Sequence, residues 1–240
     1  MRKKILTSKT RLDRFLSRKL HINKRDVRLL LSQKRVIVDS HIASDVQQII
    51  HPFTQVSLDG KVLQENQACY LMMHKPLGVV SATQDKIHKT VIDLLAHPLK
   101  HSLHITGRLD LNSTGLLLLT NDSQWSRKLM SPDNKVSKRY LVTVKKPIIE
   151  EYINAFHAGM NFPYEDITTL PVKLEIINPF QAELSLIEGR YHQIKRMFGR
   201  FRNPVLEIHR LSIGSINLDP FLLTGEYRAL NTEEINLFQS

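Results

Sequence analysis

The chain has 240 residues, with 34 Lys and Arg against 23 Asp and Glu, for a formal net charge of +11. At 42% hydrophobic and 24% charged residues, its composition is that of a globular protein, not a disordered or fibrous one. No apolar run approaches the roughly 18 residues of a membrane span, and the basic start Met1-Arg2-Lys3-Lys4 lacks the apolar core of about 7–15 residues that marks a signal peptide. A single cysteine, Cys69, excludes an internal disulfide framework and thiolate zinc sites of the finger type, as expected of a cytoplasmic protein.

The charge is uneven. Residues 1–68 hold 14 Lys and Arg against 6 Asp and Glu, and the rest of the chain holds 20 against 17. Arg11, Arg14, Arg18, Lys19, Lys24, Arg25 and Arg28 fall in two predicted helices, followed by Lys34 and Arg35. Such a concentrated field suits a polyanionic partner, the alternative being that it only keeps a small domain soluble. Thr10 and Asp13 read as a capping-box variant ahead of Leu12, Phe15, Leu16 and Leu20 on one face. Asn23 caps a second helix with Val27, Leu30 and Leu31 at helical spacing. Val36-Ile37-Val38, the turn pair Asp39-Ser40 and His41-Ile42-Ala43 predict a hairpin. The polar stretch Leu63–Ala68 reads as a linker, dividing the chain into residues 1–66 and 67–240.

Arg11-Leu12-Asp13 through Lys34-Arg35-Val36-Ile37-Val38-Asp39 resembles the S4 RNA-binding domain, which presents a helix pair to structured RNA. Ser40 stands at a turn position that normally favours glycine.

Beyond Cys69, short apolar strands alternate with brief helices. Tyr70–Met73 and Val79-Val80 bracket a turn fixed by Pro76 and Gly78, Val91–Leu95 reads as a short helix, and Gly115 opens the apolar strand Leu116–Leu119. Asn121-Asp122 caps a helix carrying Trp125 and Leu129. Strands are expected at Tyr140–Val144, Gln181–Ile187 and Leu206–Arg210. The expected fold class is α+β: two helices and a hairpin, then a mixed, largely antiparallel sheet with a central cleft.

Three segments carry candidate chemistry. Asp110 follows a predicted strand in the Gly-flanked loop Gly107-Arg108-Leu109-Asp110 and is ionised at neutral pH, able to act as a nucleophile. Alone, an Asp after Arg in a loop is more often a turn or ion-pair residue. Tyr140 stands near a strand start, where its ring could stack on a base, or it is a core tyrosine with a satisfied hydroxyl. After Gly189, a basic helix places His192, Lys195 and Arg196 at i, i+3 and i+4 on a shared face, either beside the aspartate or simply facing RNA. His97, His101 and His104 lack an acidic neighbour, and Pro98 interrupts any shared face, so no metal site is expected. No phosphate loop, dinucleotide fingerprint or nucleophile elbow occurs, and no cofactor is expected.

Together, Gly107-Arg-Leu-Asp110, Asn112-Ser-Thr-Gly115-Leu-Leu-Leu-Leu-Thr120, Lys75-Pro76 and Glu188-Gly-Arg-Tyr-His-Gln-Ile-Lys-Arg-Met197 resemble a pseudouridine synthase. The branch is the ribosomal small-subunit pseudouridine synthase A family, in which an S4 domain precedes the catalytic domain. The resemblance implies Asp110 as catalytic aspartate, Tyr140 packed on the target base, Lys195 paired with the aspartate and Ile194 on the base's other side. It places Arg108 at the space left by the displaced nucleotide, and His192 beside the substrate. It further implies a cofactor-free conversion of uridine to pseudouridine in ribosomal RNA, in a small-subunit assembly intermediate; a monomer is the default expectation. Ser123-Gln124-Trp125-Ser126 and Tyr191-His192 favour the 16S rRNA position named pseudouridine(516). The alternatives are a 23S rRNA target or a non-catalytic RNA-binding assembly factor. Two departures stand out: His74 replaces an Asn before Lys-Pro, and Gly199-Arg-Phe-Arg-Asn-Pro204 replaces a small-residue stretch with glycine at the position of Arg202.

Overall fold

The computed structural model describes residues 9–162 and 166–238, so the basic start Met1–Lys4 lies outside them. The chain divides into one unit over residues 1–68, joined by 122–124, and a second comprising 69–121 and 125–240.

In the first unit, β1 (Thr10–Arg11) pairs with β4 (Ile49–Ile50), and α1 (Leu12–Leu20) and α2 (Lys24–Ser32) follow β1. β2 (Val36–Val38), β3 (His41–Ile42), β5 (Val56–Leu58) and β6 (Lys61–Gln64) form an antiparallel sheet in the order β3-β2-β5-β6. Leu12, Phe15, Leu16, Val27 and Leu31 bury the inner stripes of the two helices against Val36, Val38, Ile50 and Val56. The Asn23 side chain accepts from the amides of Arg25 and Asp26, capping α2 as expected. The hairpin turn places Asp39 at φ 45° and Ser40 at φ 68°, the doubly left-handed geometry that favours glycine.

Two local expectations fail here. Thr10 caps nothing, because its backbone is paired to Ile50 in β1 and the N-cap of α1 is Arg11 without a side-chain cap bond. Asp13 is buried instead, held by the Arg11 guanidinium at 2.8 Å and the Arg14 amide at 2.7 Å. Burial alone would raise its pKa, but those bonds outweigh burial and hold it below the usual carboxylate value. Leu63 and Gln64 belong to β6, not to a linker: the buried Gln64 amide donates to the carbonyls of His51 and Thr54.

The second unit is built on a nine-stranded sheet. Its strands are β7 (Tyr70–Lys75), β8 (His104–Thr106), β9 (Thr114–Thr120), β10 (Lys138–Val144), β13 (Lys173–Asn178), β14 (Gln181–Leu186), β15 (Val205–Ile213), β16 (Ile216–Asn217) and β17 (Tyr227–Ala229). A separate ribbon pairs β11 (Asn161–Phe162) with β12 (Ile167–Thr168). The main order is β13-β14-β10-β15-β9-β7-β17, with β16 on β15 and β8 on β9. Every pairing is antiparallel except β15 with β9, so the sheet is mixed and largely antiparallel, as expected.

Central β9 is buried from Gly115 to Thr120 on both faces, which is why Leu116–Leu119 reads as an unbroken apolar run. On one face Leu116 and Leu118 meet Trp125 and Leu129 of α3 (Ser123–Met130), and α6 (Thr232–Asn236) closes that layer through Ile235. On the other face Leu117 and Leu119 pack with Tyr152 and Phe156 of α4 (Glu150–Ala158) and Ile194, Met197 and Phe198 of α5 (Gln193–Gly199). Val91–Leu95 is a set of turns, with Asp93 bonded back to Thr90 and Leu95 to Ile92, and no regular helix forms. No helix among the described residues is long and apolar enough to cross a membrane.

Candidate active site

A cleft of about 310 Å³ opens on the second unit, lined by Arg108, Leu109, Asp110, Ser113, Tyr140, Leu186, Glu188–Ile194 and Ile208. That volume lies at the small end of ligand pockets, enough for one planar group with its attachment. Asp110 hangs from the β8–β9 connection with its side chain 38% exposed. Tyr140 lines the cleft from β10, directly after a register shift against β15 between Arg139 and Tyr140; such irregularities re-aim side chains. Ile194, 7% exposed, lines it from the first turn of α5, and exposed Arg108 stands at the rim.

The Asp110 loop is pinned from beneath. Arg210 on β15, fully buried, donates from Nε to Leu116 O at 2.8 Å, from Nη2 to Gly107 O at 2.7 Å and from Nη1 to Arg108 O at 3.4 Å. Its guanidinium lies 6.0 Å from the Tyr140 ring centre. Gly115 lets β9 reach it: at φ 103°, a Cβ there would lie 2.4 Å from the Arg210 carbonyl oxygen. Lys75, also fully buried, donates to Ser113 O at 2.8 Å and Pro76 O at 3.0 Å. Ser81 grips Leu109 twice, donating to its carbonyl at 2.7 Å and accepting its amide at 3.1 Å. Burial pushes the Lys75 ammonium down to about 8; the nearby Asp110 carboxylate works against that fall and Arg210 adds to it.

The opposite rim is the segment 188–192. His192 has φ 48°, which puts it outside α5 as a left-handed cap, and its Nε2 lies 3.5 Å from Asp110 Oδ2. Tyr191, 78% exposed, stacks on the His192 ring at 3.9 Å. Buried Gln193 locks the segment, accepting from the Arg190 amide at 3.1 Å and donating to Glu188 at 2.6 Å, while Arg190 Nε donates to Glu188 at 2.8 Å.

Asp110, Tyr140, Arg108, Ile194 and His192 are thus brought together. Lys195 is not: it forms no ion pair with Asp110 and does not line the cleft. The buried face of α5 is Gln193, Ile194, Met197 and Phe198, which turns Lys195 toward the half-exposed side. The expected common face of His192, Lys195 and Arg196 does not form either, because His192 precedes the helix and the Arg196 guanidinium covers the Phe162 ring at 4.1 Å. The basic groups facing Asp110 are the His192 ring and the Lys75 ammonium. Lys75 was visible in the sequence only as part of a Lys-Pro turn, and nothing there marked Arg210 or Ser81.

In the first unit, Arg14, Arg18, Lys19, Lys24, Arg25, Arg28 and Lys34 are exposed and form no ion pair among the described residues. Arg11 is engaged with Asp13 and Arg35 with Asp59, so these two are partly neutralised within the chain. No group of three or more His, Cys, Asp or Glu among the described residues is placed to hold a metal ion.

Residues 69–199 match the family model of RNA pseudouridylate synthase. Ribosomal small subunit pseudouridine synthase A of Pseudomonas aeruginosa is 49% identical over 226 residues, covering 94% of this chain and 98% of that protein. The protein of that name from Escherichia coli is 41% identical over the same shares. A solved crystal structure of a pseudouridylate synthase, 36% identical, covers 94% of this chain and 98% of its own with a TM-score of 0.69.

Proposed function

The chain belongs to the RNA pseudouridylate synthase family, and from that premise we propose that it converts one uridine of small-subunit ribosomal RNA, pseudouridine(516) of 16S rRNA, with Asp110 as the group acting at the ribose. The observation that carries the reading is the cleft itself, which brings the Asp110 carboxylate together with the Tyr140 ring and the Ile194 side chain, while its other carboxylate, Glu188, is bonded to Arg190 and Gln193. A base inside a stacked helix is out of reach, so the target nucleotide is extruded, at a cost of a few kcal/mol. Tyr140 and Ile194 flank the extruded uracil, Arg108 reaches into the space it leaves, and His192 yields its place near Asp110 as the nucleotide enters. The N1–C1′ bond breaks, the uracil turns, and C5 joins C1′. One proton leaves C5 and one is gained at N1, so the product is an isomer and no oxidant or carrier is consumed.

Residues 1–66 serve, in this reading, as an S4-like RNA-binding domain acting through the seven unpaired cations above, and residues 67–240 as the catalytic domain. The protein works as a monomer on a small-subunit assembly intermediate. The relatives' shared name supports the small-subunit target. The test is to map pseudouridine in ribosomal RNA from cells lacking this protein. Loss of the 16S site alone, restored by the intact chain, is expected; loss at a 23S position, or at none, overturns the target.

A further inference from the structure

We propose that Lys145, Lys146, Arg200 and Arg202 form a second RNA-contact surface on the catalytic unit, which takes the phosphodiester backbone flanking the target nucleotide. The proposal rests on RNA being the substrate, as above, and goes beyond it by assigning a surface to residues that neither the cleft nor the basic first unit uses.

The four cations come from two segments more than fifty residues apart, and the backbone sews those segments together. The Lys145 amide donates to Pro204 O at 2.9 Å. The Lys146 amide donates to Asn203 Oδ1 at 2.9 Å, and Asn203 Nδ2 returns a bond to Lys146 O at 3.0 Å. Asn203 is fully buried and also reaches the Tyr152 hydroxyl at 3.1 Å, while Phe201 stacks on the Tyr152 ring at 4.0 Å. The platform is therefore rigid while all four charged side chains are exposed. None forms an ion pair among the described residues, not even with Glu150 and Glu151 in the first turn of α4 or with Glu207 on β15.

Two details favour a binding role over a merely solvated face. Arg202 sits at φ 50°, a backbone conformation suited to Gly or Asn, yet carries a long cationic side chain. The surface is also tied to the cleft: α5 starts beside cleft-lining His192 and ends at Gly199, directly before Arg200, and its seven residues span about 10 Å. A strand that places one nucleotide in the cleft therefore carries its neighbouring phosphates past this end of the helix. Phosphates are the fitting ligand, because unpaired Lys and Arg on a fixed backbone position a polyanion without reading its sequence.

The test compares the full chain with the variant K145Q/K146Q/R200Q/R202N, measuring affinity for a 16S rRNA fragment between 50 and 200 mM salt. Each lost phosphate contact lowers the log–log slope by about 0.7–0.9, so the intact chain should lose about 50- to 150-fold more affinity over that range than the variant. The rate at saturating RNA and the thermal midpoint should be unchanged. Should the quadruple variant fold poorly, K145Q/K146Q and R200Q/R202N are measured separately, each expected to shift the slope by about 1.5. An unchanged slope in a folded variant, or a fall in the saturated rate with no slope change, overturns the proposal. Should the intact chain convert no uridine in small-subunit assembly intermediates either, the 16S reading fails, while the slope comparison still decides this surface.

Discussion

The loop that presents Asp110 is held from beneath by three buried donors, whereas the segment that presents Tyr191 and His192 is held by one buried amide, Gln193, and by the Glu188–Arg190 pair nearer solvent. Under the first lie Arg210, Lys75 and Ser81, all buried, each bonded to main-chain atoms of the 107–113 stretch. Around the second lie the Glu188–Arg190 pair and the Gln193 amide, with Tyr191 projecting into water. Charged donors given to carbonyls inside a protein are strong and costly to remove. The difference teaches how such a site divides its labour: the Asp110 carboxylate is fixed in position, while Tyr191 and His192 stay accessible from solvent.

If that division is right, substitutions on the floor should act on the chemical step, and substitutions at the rim on binding. Asp110→Asn tests it most severely. It keeps the loop's shape and removes the anion, so conversion should fall on the order of 10⁴-fold or more while RNA affinity holds. Measurable pseudouridine from the purified variant at near-normal rates would remove Asp110 from its role.

Arg210 comes next. Arg210→Met strands the carbonyls of Gly107, Arg108 and Leu116 from this donor at about 1–3 kcal/mol each, so a large fall in Tm is expected. Arg210→Lys keeps the charge but loses the fork, and should fold, with kcat reduced roughly 100-fold and KM little changed, the signature of a misplaced reacting group. A folded Arg210→Lys enzyme with normal kcat would show that the floor need not be rigid.

Lys75 sharpens the same point through pH. Its pKa in the folded chain, about 8, lies below the 10.5 of an unperturbed lysine. Between those values the unfolded chain holds the proton that the folded chain has released, so the Lys75 contribution to stability rises with pH across that window. Activity should move the other way, declining as pH passes about 8 and the charge facing Asp110 is lost. In Lys75→Met the rate should be about 10-fold lower and that alkaline limb absent. A limb that persists unchanged in this variant would assign it to another group.

Much of this was legible from the sequence, and the failures have physical reasons. Asn23 and the Asp39-Ser40 turn could be read because capping and left-handed turns are local and use few residue types. Asp110 could be read because glycines and an apolar run bracket it. Thr10 misled because long-range pairing with Ile50 outweighs a weak local cap. Val91–Leu95 misled because a short apolar segment packs equally well as turns. Gln64 looked like linker because its buried bonds to His51 and Thr54 cannot be seen without the fold. Arg210 left no mark, and Lys75 only that of a Lys-Pro turn, because their partners are carbonyls, which every residue carries. Lys195 was expected at Asp110 by the motif's pattern, and the left-handed turn at His192 sets α5 so that Lys195 does not line the cleft.

The smallest expected effect lies at the rim, and it is the one that most directly separates rim from floor. Tyr191 is exposed and already stacked on His192, so it offers a second face to a base beside the extruded nucleotide. Base–aromatic stacking is worth about 1–3 kcal/mol. With only one ring face free, the low end applies, and Tyr191→Ala should raise KM roughly fivefold. Because the ring bonds to no part of the Asp110 loop, kcat should stay within a factor of two, in contrast with Arg210→Lys. Tyr191→Phe keeps the stacking face and should bind as the intact chain does. A fall in kcat for Tyr191→Ala would mean that stacking on His192 sets the approach of its Nε2 to Asp110, and that rim and floor act as one unit.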